Sequence, residues 1–228
     1  MWWGRSRTGD IYLSGRTLAV RADGEVRVEP ITDEDWRVRL AAAFAEQPKW
    51  RWRVWLGGSR CALHAVDPMT GLRGIEEAEI ALGASLSAGE AAAEARLATW
   101  PQPKDSPWIV GTTPAGLVRD LAAMAESADA SLASIRPWWS AHAVPKGEGA
   151  AFCDAESISY WRVDANGRIG AAATLSVSEP STTQTLRRLR AGGALGAWRL
   201  DVHLAHAKTG FVSAAMEEEA HGATPAAV

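Results

Sequence analysis

The sequence predicts an α/β fold of two related β-β-β-α-β halves, the first carrying further helices. Three observations predict it. Val20-Arg21-Ala22-Asp23-Gly24-Glu25-Val26 matches Val163-Asp164-Ala165-Asn166-Gly167-Arg168-Ile169 position by position, both reading V-x-A-[D/N]-G-x-[V/I]. Asp-Gly and Asn-Gly pairs signal hairpins, because a type I′ turn needs positive φ at both central residues. Each hairpin is then followed by a proline, a helix-start signal and a Trp-Arg strand, in the same order.

In the first half, Ile11-Tyr12-Leu13 forms a strand ahead of the hairpin. Pro30, with Thr32 and Asp33, opens a helix whose apolar stripe is Trp36, Leu40 and Phe44. From Trp50 to Leu56 the residues alternate, with Trp50, Trp52, Val54 and Leu56 on one strand face and Arg51, Arg53 and Trp55 on the other. Gly74 to Leu86 reads as a helix, with Glu76, Glu77 and Glu79 near its start. Ala88 to Trp100 is open between helix and edge strand. Trp108-Ile109-Val110-Gly111 is a short buried strand. Thr113 is the expected cap of a helix with Pro114 at its first position and Leu117, Leu121 and Met124 on one face. Ser131 to Pro145 is extended, and Lys146-Gly147-Glu148-Gly149 is a loop.

In the second half, Ile158-Ser159-Tyr160-Trp161 is the strand leading into the hairpin. Pro180 is followed by Ser181-Thr182-Thr183-Gln184, a capping box, and by a helix bearing Leu186 and Leu189. Trp198 to Val202 is the second Trp-Arg strand. Few residues remain beyond it, so the second half reads as truncated, and Gly222 to Val228 is expected to be disordered. The expected organisation is a first half at 1–133, a shortened second half at 134–215 and a flexible tail at 216–228.

Composition narrows the function classes. The net charge of −3 over 228 residues leaves no basic field to hold nucleic acid, and Arg187, Arg188 and Arg190 read as a solvated helix face. Cys61 and Cys153 lack CxxC spacing, which argues against a disulfide scaffold or a zinc site. No apolar run approaches the roughly 20 residues that span a bilayer. The start, Met1 to Arg7, lacks the apolar core of a signal peptide. A cytoplasmic protein is expected, touching membrane only peripherally or through a partner. Twelve tryptophans imply heavy use of indole in packing.

A duplicated unit of this order, with Ile11 to Val20 as first hairpin, Ser131 to Trp139 as link and Asp154 to Ile169 opening the second copy, resembles the actin-like (ribonuclease H-like) superfamily. Within it, the chain resembles the bacterial pilus-assembly M protein and the cytoplasmic part of the type II secretion L protein. The resemblance implies a reduced actin-like fold. Active ATPases of that fold carry D-x-G in the first hairpin of each half, glycine admitting phosphate and carboxylate organising Mg²⁺. Here the first copy reads Leu13-Ser14-Gly15 and the second Asp154-Ala155-Glu156, so a carboxylate stands where glycine belongs. Gly192-Gly193 lies too early for the adenosine motif and reads as a helix cap.

These departures predict no catalytic residue, no cofactor and no metal. If a nucleotide bound, Gly15, Thr17 and Asp154 would meet its phosphates. Asp201, His203 and His206 form D-x-H-x-x-H, but in a strand the last lies opposite the first two. His64 and His142 show no partner by spacing, and Glu217-Glu218-Glu219 reads as a solvated helix face. Two tryptophan pairs carry two readings each. Trp2-Trp3, near Arg5 and Arg7, is an interfacial anchor or a terminus folded onto the body. Trp138-Trp139 is core packing or a partner-binding hot spot. The function expected is a non-catalytic cytoplasmic scaffold of an inner-membrane type IV pilus or type II secretion-like assembly, binding partner subunits or an assembly ATPase. The alternative is a divergent actin-like nucleotide-binding ATPase.

Overall fold

Hairpin chemistry sets the frame. In the computed structural model, which describes residues 7–66, 94–100, 107–141, 144–153, 156–176 and 200–204, the described strands form three sheets. The first sheet has the order β3-β2-β1-β4-β8, from β1 (Thr8–Leu13), β2 (Thr17–Ala22), β3 (Glu25–Pro30), β4 (Arg51–Leu56) and β8 (Ser131–Pro137). The second has the order β11-β10-β9-β12, from β9 (Gly149–Cys153), β10 (Ser157–Val163), β11 (Ile169–Ser176) and β12 (Leu200–Leu204). In both, the first strand pairs antiparallel with the second and parallel with the fourth. The duplication is therefore one of topology as well as sequence.

Two local expectations change. The strand equivalent to β1 is β9, and Ile158 to Trp161 belongs to β10, the first arm of the second hairpin. Gly147, at φ 82°, turns the chain by donating its N–H to the Val163 carbonyl at 2.9 Å, so the strand starts at once after the loop. The hairpin turns also differ. Asp23 and Gly24 both have positive φ, as a type I′ turn requires. In the second hairpin only Gly167 does. There the Asp164 carboxylate accepts the N–H groups of Asn166 and Arg168, both at 2.8 Å, and a register shift follows at Arg162/Val163. A side chain that satisfies two turn amides selects the bulged turn over the tight one.

Helix α1 (Trp36–Glu46) buries Trp36, Leu40, Ala43 and Phe44, the expected stripe with one alanine added. Its entry is fixed by reciprocal bonds. Thr32 N–H donates to Asp35 Oδ1 at 2.7 Å, and Asp35 N–H to Thr32 Oγ1 at 3.3 Å. Helix α2 (Ala115–Ser127) buries Leu117, Leu121 and Ala125. Thr113 is not its cap. The strand β7 (Trp108–Pro114) runs on through Thr113, whose hydroxyl donates to the Arg60 carbonyl at 2.7 Å, and Pro114 takes the cap position. The open segment 88–100 resolves in part to β6 (Glu94–Trp100), which pairs with β7, as does β5 (Ala62–Val66). The expected helices at Gly74–Leu86 and after Ser181, the Gly192-Gly193 cap and the tail lie outside the described residues.

Alternation along β4 sets up the core. Trp52, Val54 and Leu56 are fully buried and Trp50 nearly so, while Arg51 and Arg53 are exposed. Trp52 packs edge-on to Phe44 of α1 at 6.0 Å and stacks on Trp50 at 5.6 Å. Gly9 lies opposite Trp52, where an added Cβ would run into the indole ring. Gly9→Ala should therefore destabilise the protein by about 1–3 kcal/mol, read as a lower urea midpoint, because a fully buried ring has nowhere to retreat.

A second layer joins the halves. Tyr12 meets the edge of Trp138 at 6.3 Å, Trp138 meets Phe152 at 5.7 Å, and Phe152 stacks on Trp161 at 4.6 Å. Trp139 closes on Trp161 at 5.3 Å. The small sheet β5-β7-β6 adds a polar link: Leu63 N–H donates to Thr174 Oγ1 on β11 at 2.9 Å. The halves thus share one continuous core.

Candidate functional site

The turn between β1 and β2 faces Glu156, the residue before β10, and the junction is polar. Ser14, 2% exposed, shapes the first turn: its Oγ accepts the N–H groups of Arg16 at 3.3 Å and Thr17 at 3.0 Å. This leaves the Gly15 N–H pointing outward. After β4, Gly57 donates to the Leu13 carbonyl at 3.0 Å and leads into a short 3-10 turn, Gly58–Arg60, that brings Ser59 alongside. Gly57 packs so tightly on the Tyr12 ring that any Cβ there would collide with it.

The Glu156 carboxylate fills the seat so formed. Its Oε2 accepts from Gly15 N–H at 3.1 Å, Ser59 N–H at 3.2 Å and Ser59 Oγ at 2.9 Å, and its Oε1 lies 3.4 Å from Ser14 Oγ. Two backbone amides and two hydroxyls converging on one carboxylate make an oxyanion seat from uncharged donors. Arg60, the residue after Ser59, reaches the Ser14 carbonyl at 3.4 Å and is held by Asp33 at 3.1 Å and by the Trp36 ring at 4.8 Å. A methyl group on Gly15 would meet Ser59 Oγ and the Glu156 carboxylate, so only glycine lets them approach.

The sequence-predicted residues fall in three places. Gly15 is in the seat. Thr17 opens β2, with its N–H committed to Ser14 Oγ. Asp154, Trp2 and Trp3 lie outside the described residues, as do His142, His206 and Glu217 to Glu219. Trp138 and Trp139 are each 1% exposed and belong to the aromatic layer between the halves. Asp201 and His203 sit two residues apart on β12. Among the described residues no group of three potential metal ligands occurs, and no helix is long and apolar enough to cross a membrane. His64 does have a partner, Thr112 Oγ1 at 2.9 Å. Cys61 is buried.

Ser59 is the functional residue that sequence reasoning missed. Its signal was faint: Gly57-Gly58 directly after a strand marks a close backbone approach. The sequence places the Glu156 carboxylate where glycine belongs, but not in contact with Gly15 and Ser59.

No family model and no curated protein matches the chain in sequence. Solved structures match in fold. The cytoplasmic domain of EpsL, an inner membrane component of the type II secretion system of Vibrio cholerae, superposes with a TM-score of 0.60 at 12% identity, over 87% of this chain and 82% of that one. The PilM–PilN type IV pilus biogenesis complex gives a TM-score of 0.55 at 13% identity, over 81% of this chain and 66% of that one. The fold is actin-like. The α/β, actin-like expectation is borne out, and so is the likeness to these two proteins. At such low identity the likeness is one of fold.

Proposed function

We propose that this protein is a non-catalytic cytoplasmic scaffold of an inner-membrane assembly of the type IV pilus or type II secretion kind, recruited to the membrane by its partner subunits. The observation that carries the reading is Glu156 in the oxyanion seat. In an ATPase of this fold the glycine of the first hairpin serves phosphate, whereas here Gly15 N–H already serves a carboxylate of the same chain. The fold neighbours supply the setting: one is named as an inner membrane component of a secretion system, the other as a pilus biogenesis complex. Fold alone does not make function, so the setting needs its own test.

Two measurements test the two parts. Isothermal titration with Mg-ATP should give no binding heat, and the thermal midpoint should not move. Micromolar binding would overturn the non-catalytic reading. The chain, tagged at its natural level, should co-purify with pilus or secretion assembly proteins, an assembly ATPase among them. Recovery of none of these would sink the scaffold reading.

A further inference from the structure

We propose that the seat of Ser14, Gly15 and Ser59 remains a working oxyanion site that Glu156 keeps occupied, so that the carboxylate acts as a built-in ligand clamping the halves together. The inference deepens the scaffold reading and rests on it only in taking free nucleotide to be excluded.

The donors define the ligand class. They are two N–H groups and two hydroxyls, all aimed at one small anion, with three of them on the single atom Oε2. None is aimed at a flat ring or a sugar. A tetrahedral phosphate offers oxygens to the same four donors, and such uncharged cradles bind phosphate through backbone amides elsewhere. The ligand class is therefore the phosphate-sized oxyanion.

Geometry also explains why the site is closed to free anions. Glu156 directly precedes β10, which holds it beside the seat, so its carboxylate competes at an effective concentration in the millimolar range or above. A free anion must displace it from all four donors. Conversely, Glu156 lies 141 residues from Gly15 and 97 from Ser59, so the same bonds tie the second half to two separate segments of the first. Where an actin-like ATPase would close its cleft on a nucleotide, this chain closes on its own side chain.

Chemical rescue tests the proposal on the full-length chain, with inorganic phosphate and pyrophosphate as probes. Glu156→Ala should melt lower than the wild type. Either anion, at about ten times its Kd, should restore about 4 °C of the midpoint. The wild type should bind phosphate at least tenfold more weakly than E156A and show no comparable shift. Adding Ser59→Ala to E156A should weaken the rescue, because it removes one of the four donors and leaves the two N–H groups and the Ser14 hydroxyl. Should E156A fail to fold, Glu156→Gln keeps the shape and is the variant to titrate, with the same order of affinities expected. Equal phosphate response in wild type and variants, or rescue indifferent to Ser59, overturns the proposal. Either result leaves the partner-capture test of the scaffold reading untouched.

Discussion

Trp138→Ala should cost about 3–5 kcal/mol of stability, the range for removing a large aromatic from a packed core. The indole is 1% exposed and lies between Tyr12 of the first sheet, at 6.3 Å, and Phe152 of the second, at 5.7 Å. Truncation therefore opens a cavity that both sheets line, and neither can collapse into it without moving the other. Edge-to-face contacts add about 0.5–1.5 kcal/mol per pair beyond area burial, so loss of two of them places the cost toward the upper end. Because the ring is shared, unfolding should remain a single transition, with far-UV dichroism and tryptophan fluorescence coinciding at a lower urea midpoint. Val38→Ala, at a site 72% exposed on α1, is the control and should change stability by less than about 0.5 kcal/mol. A loss below about 1 kcal/mol in Trp138→Ala, or two separated transitions, would show that the aromatic layer does not couple the halves.

What could be read from the sequence was local. The faces of β4 follow from alternation alone, and the α1 stripe from helical spacing, since burial of Trp52 or Leu40 is dictated by near neighbours in the chain. The repeat showed itself because its turn residues are strict. Where a local rule competed with a partner distant in sequence, the partner won. Thr113 has the chemistry of a helix cap, yet its hydroxyl serves the Arg60 carbonyl and its backbone continues β7. Asn166-Gly167 has the composition of a tight turn, yet Asp164 captures two of its amides and bends it into a bulge. The seat was the least legible part, because its members come from three segments that only the completed fold brings together. The Glu156 carboxylate is unfavourable in a site that must hold phosphate. It becomes attractive once Gly15 and Ser59 offer their N–H groups to it.

Replacing Asp10 gives the second large effect, and its pH dependence separates charge from packing. Asp10 is 3% exposed on β1, between Arg21 of β2 and Arg53 of β4. Arg21 pairs with its Oδ2, Arg53 Nη2 donates to Oδ2 at 2.8 Å, and Trp55 Nε1 donates to Oδ1 at 3.1 Å. Burial pushes the Asp10 carboxyl up, but the bonds from Arg21, Trp55 and Arg53, with the Arg21 charge, outweigh it and hold the group below the usual aspartate range. A lowered folded value means that the unfolded chain takes up the proton first as pH falls. The stabilisation is thus complete above the unfolded pKa of about 3.9 and is lost as pH drops through the folded value. Asp10→Asn keeps the shape and removes the charge, so it should lose about 1–3 kcal/mol at pH 7. The lower half of that range is favoured, because the Arg21 and Arg53 side chains are 39% and 45% exposed and water screens them once the carboxylate charge is gone. Urea titrations across pH should show the gap between wild type and variant flat above about pH 5 and closing below about pH 4. A gap that stays constant down to pH 2 would mean that Asp10 holds the three strands by shape and neutral hydrogen bonds, with its charge contributing nothing.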